Sequence, residues 1–475
     1  MLLNTRKFAL LAAVLPVMQA RAAFDGSRYD NSLILHSYWG QNSRGAVDGT
    51  DTANFQKDIS FYCNDDSINV LPVSFLNVFF GTGGAPEMNL ANSCNNVDNA
   101  TFSGTKLPIC TALADDIEYC QSKGKLVPLS IGGATGSVGF ESDDQASTFA
   151  QTIWRDDMAY NDNRDMFLGG SSATRPFGSA VLDGVDLDIE GGSSAHYDVF
   201  VNKIRSLASG ASKKYYVTAA PQCVYPDASL GGVLNAVAFD AVYVQFYNNQ
   251  CGLPNYGQVN NWNFGIWDYW ARHVSPNPNV KVYIGAPAST GAAGSGYVTS
   301  ATLSSIATTM RKSFPSFGGV MLWDASQAVY NGNYHVPIKS ALVAAGGTGF
   351  TYPACSAPAY ASGRSYSGGS QVSYGGYIWQ AKWYADQTPA GTSDSSWSII
   401  SACAGSGGST TTTSPTTSPT AGNCAGVTTW SSSVAYTGGQ TAVYNGHLWS
   451  AQWWTQGDTP GGSTNSGVWV DKGAC

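Results

Sequence analysis

Residues 183–190 read Asp183-Gly184-Val185-Asp186-Leu187-Asp188-Ile189-Glu190, with carboxyl and apolar side chains in alternation. Successive side chains of a β-strand point to opposite faces, so a strand here places Asp186, Asp188 and Glu190 on one face and the apolar residues on the other. The apolar face suits packing under a layer of helices. The stretch therefore predicts a strand of an α/β fold whose inner face carries three carboxyls in a row.

Seven other apolar runs of strand character lie in the first 350 residues. Most are separated by segments long enough for a crossover helix, and residues 143–158 and 195–208 have the helical spacing of apolar side chains. Alternating strands and helices predict a parallel sheet, and eight such units predict a (β/α)8 TIM barrel, with an open doubly wound sheet as the alternative. The eight predicted strands are Leu33–Gly40, Val70–Phe80, Lys125–Gly133, Ala180–Glu190, Lys214–Pro221, Ala241–Asn248, Asn279–Pro287 and Phe317–Asp324.

The row of carboxyls predicts acid–base chemistry. Three carboxylates buried side by side repel one another and lose hydration, so at least one should stay protonated near neutral pH, as a general acid must. A calcium site and a solvated strand edge are the alternatives. Calcium favours ligands from a flexible loop, and a solvated edge would not alternate with Val185, Leu187 and Ile189.

Composition narrows the class of protein. Of the 475 residues, 12% are charged and 43% are hydrophobic, and the formal net charge is −8. An acidic balance argues against a nucleic-acid partner and against binding an anionic membrane by charge. Five histidines and the lack of a CxxC motif leave little for a metal or redox site, so we expect neither a metal nor a cofactor.

The amino terminus predicts secretion. Arg6 and Lys7 precede the apolar run Phe8–Val17, and Ala20-Arg21-Ala22 supplies a cleavage signal, which together are typical of a signal peptide over residues 1–22. Ten cysteines then predict five disulfides formed in an oxidising compartment. Asn99-Ala100-Thr101 is a predicted N-glycosylation site.

The last quarter of the chain contains an internal repeat. Residues 374–384 (YGGYIWQAKWY) align with residues 444–454 (YNGHLWSAQWW), and a cysteine stands at each end of both copies. A Ser/Thr/Pro-rich linker over 404–423 separates the copies and should be extended. We therefore expect a catalytic domain over 23–350, a first repeat over 355–403 and a second repeat over 424–475, each repeat needing a disulfide because it is so small.

Several motifs resemble those of family 18 glycoside hydrolases. The pattern DxxDxDxE at residues 183–190 and SxGG at Ser130–Gly133 are similar to that family's two signatures. Six further segments, in the same order, resemble the plant- and fungal-type class III endochitinases: Tyr38–Asn42, Ser74–Asn77, Thr218–Cys223, Val244–Asn249, Ala293–Tyr297 and Gly318–Trp323.

The resemblance implies roles for individual residues. Glu190 resembles the proton donor to the glycosidic oxygen, and Asp188 the residue that orients the substrate 2-acetamido group, with Asp186 below it. Tyr247 would hydrogen-bond the acetamido carbonyl oxygen, and Asp183 would be structural. Residues that would bind the substrate are Tyr38, Phe75, Gly133, Gln245, Asn248 and Trp323, the last as the apolar floor.

Substrate-assisted catalysis is the mechanism generally assigned to this family. An ordinary retaining glycosidase has carboxyls on both sides of the bond, whereas here all candidates come from one strand. The acetamido oxygen would then attack C1 and form an oxazolinium ion, which water opens with retention of configuration.

The resemblance also implies disulfides, namely Cys63–Cys120, Cys94–Cys110 and Cys223–Cys251. The placement of cysteines around the repeats adds Cys355–Cys403 and Cys424–Cys475. The repeats resemble carbohydrate-binding modules of family 5/12, in which exposed aromatic rings would stack on sugars. Trp383, Tyr384, Trp453 and Trp454 are the candidate platform residues, Trp379 and Trp449 are expected to pack inside, and Trp397 and Trp469 stay undecided.

The sequence thus predicts a secreted, monomeric endochitinase that binds chitin and chito-oligosaccharides, with association with a cell wall as an alternative to the free extracellular form. Cellulose is a second candidate ligand of the repeats. Three alternatives remain: an endo-β-N-acetylglucosaminidase acting on glycoproteins, a catalytically inactive lectin or inhibitor on the same barrel, and a structural wall-binding protein.

Overall fold

The computed structural model describes residues 34–154, 166–169, 174–346, 349–404, 424, 427–431, 435–436, 440–452, 455–456, 458–461 and 468–474. The chain divides into two compact units, one up to Ser406 and one from Gly407 onward. The predicted signal peptide and nearly all of the predicted linker lie outside the described residues.

A parallel sheet forms the centre of the first unit. Its strands are β1 (Ile34–Ser37), β2 (Val73–Val78), β3 (Glu87–Met88), β4 (Leu129–Gly132), β5 (Gly184–Asp188), β6 (Tyr216–Ala219), β7 (Ala241–Gln245), β8 (Lys281–Pro287) and β9 (Phe317–Trp323). In the described residues their order is β1-β9-β8-β7-β6-β5-β4-β2-β3, and β3 alone is antiparallel to its neighbour. Parallel bridges from His36 to Val70 and from Trp39 to Val73 join the chain around β1 to the chain around β2. These two strands are at opposite ends of the parallel part of the sheet, so the bridges close the sheet into a barrel. The predicted TIM barrel is thereby confirmed, and every predicted strand contains an observed one.

Helices follow most of the strands. They are α1 (Ser43–Val47), α2 (Ile59–Cys63), α3 (Ala114–Ser122), α4 (Asp143–Ile153), α5 (Tyr197–Ala208), α6 (Gly231–Ala236), α7 (Phe264–His273), α8 (Ser300–Ser313), α9 (Ala325–Tyr330) and α10 (His335–Ala344). Two of them, α4 and α5, match the predicted helices at 143–158 and 195–208, although residues 155–158 lie outside the described part. Ser142 caps α4 by accepting a hydrogen bond from the Gln145 amide, and two aspartates in the first turn favour this start.

The two faces of β5 divide as the alternation predicts. Val185 and Leu187 are buried in the apolar layer shared with the helices, whereas Asp186 and Asp188 point into the barrel. A second, separate cluster fills the barrel interior with rings and a thioether, among them Tyr216, Tyr243, Tyr283 and Met321. The barrel is therefore a packed core beneath the carboxyl row.

Four of the five predicted disulfides are confirmed: Cys63–Cys120, Cys94–Cys110, Cys223–Cys251 and Cys355–Cys403. The fifth includes Cys475, which lies outside the described residues. Asn99, the predicted glycosylation site, is half-buried in the excursion tied by Cys94–Cys110, and its side-chain oxygen accepts a hydrogen bond from the Asn95 amide at 3.1 Å.

Each repeat contains a three-stranded antiparallel sheet in its described residues. The first contains β10 (Gln371–Tyr374), β11 (Tyr377–Ala381) and β12 (Trp397–Ala402), and the second contains β13 (Ala435–Tyr436), β14 (Thr441–Tyr444), β15 (His447–Ala451), β16 (Thr455–Gln456) and β17 (Trp469–Ala474). The indole N–H of Trp379 donates to the Tyr374 carbonyl, and that of Trp449 donates to the Tyr444 carbonyl.

The exposure of the repeat aromatics separates packing from surface positions. Trp379 is buried as predicted, while Trp449 is half-buried. The undecided pair, Trp397 and Trp469, is buried in both repeats. Trp383 and Tyr384 are 51% and 61% exposed, as a platform requires, whereas Trp453 and Trp454 lie outside the described residues.

The first repeat packs against the barrel within one compact unit. The fully buried carboxylate of Asp268 on α7 accepts hydrogen bonds from the Tyr377 hydroxyl at 2.9 Å and from the Ser316 hydroxyl at 2.6 Å. Burial raises the pKa of Asp268, and the two hydroxyl donors oppose that rise. Arg272 lies 3.8 Å from the same carboxylate and 5.0 Å from the centre of the Tyr377 ring. A buried polar cluster thus joins the repeat to the barrel.

No helix in the described ranges is long and apolar enough to cross a membrane. Within the same ranges, no group of histidine, cysteine, aspartate and glutamate residues is arranged to hold a metal ion.

Replacing Tyr377 with Phe should destabilise the first unit. The substitution keeps the ring but leaves one oxygen of Asp268 without its hydroxyl donor, which costs about 1–3 kcal/mol for a buried group. We expect a lower midpoint in thermal unfolding of the full chain. Tyr374→Phe is the matched control because Tyr374 faces solvent in the same hairpin. Equal midpoints for the two variants would contradict a supporting role for the Tyr377 hydroxyl.

Candidate active site

Strand register brings three polar side chains into one row at the centre of the barrel. Ser130 on β4 pairs with Asp186 on β5, and Asp186 pairs with Thr218 on β6. The Ser130 and Thr218 hydroxyls donate to the Asp186 carboxylate at 2.8 and 2.7 Å. From β1's side, the Tyr38 hydroxyl donates to the same carboxylate at 2.7 Å. Asp186 thus receives three hydroxyl donors while being inaccessible to solvent.

The surroundings of Asp186 act on its pKa in opposite directions. Burial raises it, because an ion loses hydration there, and the three hydroxyl donors lower it because they stabilise the charged form. The pKa of Tyr38 is shifted as well. Burial, and then the negative charges of Asp186 and Asp188, raise it well above the ordinary value of a phenol, so the hydroxyl stays protonated and can donate.

Two glycines let β4 approach the end of β5. Gly132 has a φ of +112°, and a Cβ there would lie 2.2 Å from the Asp188 carbonyl oxygen. The next amide, that of Gly133, donates to this carbonyl at 2.7 Å. A Cβ at Gly133 would also lie 2.7 Å from the Phe75 ring. The SxGG pattern therefore has two roles: Ser130 donates a hydrogen bond to Asp186, and Gly132 lets the backbone come close to Asp188.

Asp188 and Glu190 face the cleft above Asp186. The Gln245 side-chain amide donates to the Asp188 carboxylate at 3.0 Å. Burial first, and then the charges of Glu190, Asp186 and Asp227, raise the pKa of Asp188 well above its ordinary value. Burial likewise raises the pKa of Glu190, and the Gln245 hydrogen bond opposes the rise. The arrangement suits a pair that shares a proton near neutral pH.

Asp227 is a nearby carboxyl that sequence reasoning missed. It is buried in the loop after β6, where it accepts hydrogen bonds from the amides of Gln222, Ser229 and Leu230. Its charge raises the pKa of both Asp188 and Glu190. No motif marks it, because it follows the strand by eight residues and its effect depends on how the loop folds back.

The loop after β7 supplies Tyr247 and Asn248. Burial, followed by the charges of Asp188 and Glu190, raises the pKa of Tyr247 well above its ordinary value, so its hydroxyl stays protonated. Gly296 makes room for it, since a Cβ there would lie 2.4 Å from that of Tyr247. The Asn248 side-chain oxygen accepts from the Ser295 amide at 3.0 Å, which ties this loop to the one after β8.

Aromatic rings form the floor of the cleft. The ring of Trp323 at the end of β9 stacks against Phe75 with centroids 5.9 Å apart and an angle of 18°. The ring of Tyr38 packs beside that of Trp323, with centroids 5.6 Å apart. An apolar floor under polar side walls is suited to a sugar ring, which has C–H faces and a hydroxyl rim.

A cleft of about 340 Å³ contains these residues. Every predicted substrate-binding residue lines it, as do Asp188, Glu190 and Tyr247, whereas Asp186 lies beneath. Among the described lining residues, Asp188 and Glu190 are the only carboxyls. Gln41 was missed as a cleft residue. Its side-chain amide donates to the carbonyls of Ser74 and Asn89, and the contact reflects folding of the loops, which no local pattern reveals.

Asp183 stands apart from the cleft, as expected for a structural residue. Its carboxylate accepts from the Val127 amide at 2.8 Å and pairs with Lys213 at 2.8 Å. It holds the start of β5 in place and has no contact with the cleft.

Replacing Gln245 with Met should raise the pKa values of Asp188 and Glu190. Met keeps roughly the same volume but removes a donor that stabilises the charged forms of both carboxyls. Carboxyl ¹³C NMR titration of the full chain would measure the shift. Asn249→Leu is the control, because that amide donates to Gln222 rather than to the pair. Unchanged or lower pKa values in Gln245→Met would show that the Gln245 amide does not stabilise the charged forms of Asp188 and Glu190.

Comparisons with known proteins agree with this geometry. Residues 35–302 match the model of glycosyl hydrolases family 18, and residues 429–470 match that of carbohydrate-binding module family 5/12. Chitinase 2 of Rhizopus oligosporus is 47% identical over 311 residues, covering 66% of this chain and 52% of that protein. Endochitinase 33 of Trichoderma harzianum is 38% identical over 345 residues, covering 70% of this chain and 98% of that protein.

Solved structures show the same barrel. The ICChI chitinase from Ipomoea carnea is 32% identical, with a TM-score of 0.52, and covers 65% of this chain and 99% of its own. A xylanase and α-amylase inhibitor protein, XAIP-II from Scadoxus multiflorus, is 30% identical, with a TM-score of 0.51, and covers 67% and 99%. The chain spans about half the length of the first curated relatives it matches. By the family match and the near-complete coverage of the Trichoderma relative, the chain belongs to the glycosyl hydrolases of family 18.

Proposed function

We propose that this protein is an endochitinase that hydrolyses the β-1,4 bonds between N-acetylglucosamine units of chitin. One observation carries the proposal: Asp188 and Glu190 are the only carboxyls among the described residues lining the cleft, and both come from the end of one strand. The chitinase names of several relatives support the same substrate.

Glu190 and Asp188 act on different parts of the substrate, the glycosidic oxygen and the acetamido group. Glu190 donates its proton to the glycosidic oxygen, for which its raised pKa prepares it. The C1–oxygen bond breaks while the acetamido carbonyl oxygen of the same sugar forms a bond to C1, giving an oxazolinium ion. The Asp188 carboxylate accepts a hydrogen bond from the acetamido N–H, which stays on the nitrogen, and stabilises the positive charge of the ion. Water then attacks C1, gives its proton to Glu190 and opens the ring.

Tyr247 and Asp186 position these groups. The Tyr247 phenol, kept protonated by its surroundings, donates to the acetamido carbonyl oxygen and holds it below C1. Asp186 contributes negative charge under Asp188, which stabilises the cation formed above. Trp323 supports the apolar face of the sugar at the cleavage point. The requirement for an acetamido group restricts the substrate to N-acetylated sugars.

The rest of the chain fits a secreted chitinase. We propose that residues 1–22 are a signal peptide, that Asn99 is glycosylated, and that the class III pattern extends over the barrel. Both repeats would be carbohydrate-binding modules, with chitin as the principal ligand and cellulose as the second, and the protein would act as a monomer in the extracellular space or at a cell wall.

An inhibitor is the second candidate function. The XAIP-II structure has the same barrel at 30% identity, so the barrel alone does not decide between hydrolysis and inhibition. The intact pair of carboxyls beside Tyr247 favours hydrolysis. Assays of chitin cleavage and of xylanase and α-amylase inhibition on the same preparation separate the two.

Glu190→Gln should lower the release of oligosaccharides from colloidal chitin by about 10²-fold or more, because the amide cannot donate the proton that the leaving group needs. Adsorption to chitin should persist. Glu118→Gln is the matched control, since Glu118 is exposed on α3. If the wild type releases no sugar, or if Glu190→Gln cuts as fast as the wild type, the proposed function is wrong.

Trp453→Ala combined with Trp454→Ala should weaken adsorption to solid chitin and leave turnover of a soluble chito-oligosaccharide nearly unchanged. The rings would be lost from the second repeat, while the cleft is untouched. Phe61→Ala is the control, because Phe61 is an exposed aromatic on the barrel, 50% accessible. A collapse of soluble turnover in the double variant would show that the second repeat is part of the cleft's function.

A further inference from the structure

The residue that follows the floor residue Trp323 in the chain is a buried aspartate. Asp324 is the N-cap residue of α9 and is 1% exposed. Its carboxylate accepts hydrogen bonds from the Ser326 hydroxyl at 2.7 Å, the Gln327 amide at 3.0 Å and the Ser43 amide at 3.2 Å. Because α1 begins at Ser43, in the loop after β1, one carboxylate joins the starts of two helices that are far apart in the sequence.

The position of Asp324 calls for a carboxylate rather than an amide. One of its oxygens accepts from Ser326 and Gln327, and the other accepts from Ser43. An asparagine would therefore place its NH2 group opposite a backbone N–H in either orientation of the side chain. Burial raises the pKa of Asp324, and the three donors oppose the rise because they stabilise the charged form.

Neighbouring side chains extend this contact to the loop after β8. The Gln327 side-chain amide donates to the Ser43 hydroxyl at 3.2 Å, and its oxygen accepts from the Ser289 hydroxyl at 2.6 Å. The Ser289 hydroxyl oxygen also accepts from the Gly291 amide at 3.1 Å, just before the cleft residue Ala292. We call the buried residues joined in this way the floor network: Ser43, Ser289, Asp324, Ser326 and Gln327.

The backbone around Trp323 is held from two sides. Its carbonyl accepts from the amide of Ala288, the neighbour of Ser289, at 2.8 Å. The amide of Ala325 donates to the Tyr38 carbonyl at 2.9 Å. With the floor network joining the loops after β1, β8 and β9, the Trp323 ring has little freedom to shift beneath a bound sugar.

The position of this ring matters for the reaction proposed above. The acetamido oxygen has to lie below C1 when the bond to the leaving group breaks, and a misplacement of about 1 Å can cost about 10² in rate. A floor that buried hydrogen bonds fix before substrate binds does not have to reorganise during the reaction.

We propose that Asp324 is a positioning residue for hydrolysis. Its carboxylate joins the turn after Trp323 to the loops after β1 and β8, and this contact keeps the indole where it supports the sugar at the cleavage point. The effect on the sugar rests on the proposed function, whereas the effect on the indole rests on the floor network alone.

Asp324→Asn in the full chain tests this role. With hexa-N-acetylchitohexaose as substrate, we expect kcat to fall about tenfold and KM to stay within about threefold, because the sugar still binds but is misplaced for reaction. Asp268→Asn is the matched control, since Asp268 is also fully buried and accepts from one amide and two hydroxyls outside the cleft. It should lower the midpoint of thermal unfolding and leave kcat unchanged.

Fluorine NMR gives a second readout that does not depend on catalysis. The chain is labelled with 5-fluorotryptophan, and Trp323→Phe identifies the Trp323 resonance. Asp324→Asn should shift or broaden that resonance, whereas Asp268→Asn should leave it at its wild-type position. Ser326→Ala removes one donor and keeps the charge, so it tests the floor network even if Asp324→Asn does not fold. We expect it to shift the same resonance and to lower kcat about threefold, as for one hydrogen bond.

The proposal is overturned if folded Asp324→Asn keeps the kcat of Asp268→Asn, or if the Trp323 resonance does not move. If Asp324→Asn does not fold, an unchanged kcat or resonance in Ser326→Ala overturns it. A wild type that cleaves no chitin refutes the proposed function and with it the catalytic role of Asp324. A wild type that cleaves chitin, combined with unaffected variants, refutes the positioning role alone.

Discussion

The carboxylate of Asp186, buried at the centre of the barrel, is the constraint on which the site depends. It is inaccessible to solvent, and such an ion is tolerated only with several donors. Those donors are Ser130 on β4, Thr218 on β6 and Tyr38 just after β1, so the strands must be in the correct register before the charge is satisfied. The same register places Asp188, two residues further along β5, in the cleft. The hydrogen bonds that stabilise the folded sheet therefore also position the carboxyls that react.

The surroundings of Asp188 and Glu190 follow from this row. Asp186 below and Asp227 beside add negative charge, which raises the pKa of Asp188, while Gln245 opposes the rise with a hydrogen bond. Because these effects oppose each other, Asp188 and Glu190 can share one proton in the cleft. Trp323 and Phe75 cover the apolar side, so a bound sugar would exclude water from the pair and strengthen its electrostatic interactions.

The sequence predicted much of this because its signals were local. Alternation in residues 183–190 predicted which carboxyls face inward, and the resemblance to family 18 implied the residues that line the cleft. Asp227 and Gln41 escaped prediction because their contacts come from loops that fold back over the barrel, with no periodicity to reveal them. The buried contact of the first repeat with α7 was equally hidden, since Tyr377 and Trp379 belong to a repeat pattern that gives no hint of a partner helix.

The source of the nucleophile decides the stereochemistry of the product. A substrate acetamido group that attacks from below C1 requires water to enter from the face that the leaving group vacated, so configuration is retained. The measurement is ¹H NMR of the first product formed from a soluble chito-oligosaccharide, before the anomers equilibrate. Substrate-assisted catalysis predicts the β-anomer. An α-anomer would contradict it, since inversion needs a second carboxyl to activate water on the opposite face.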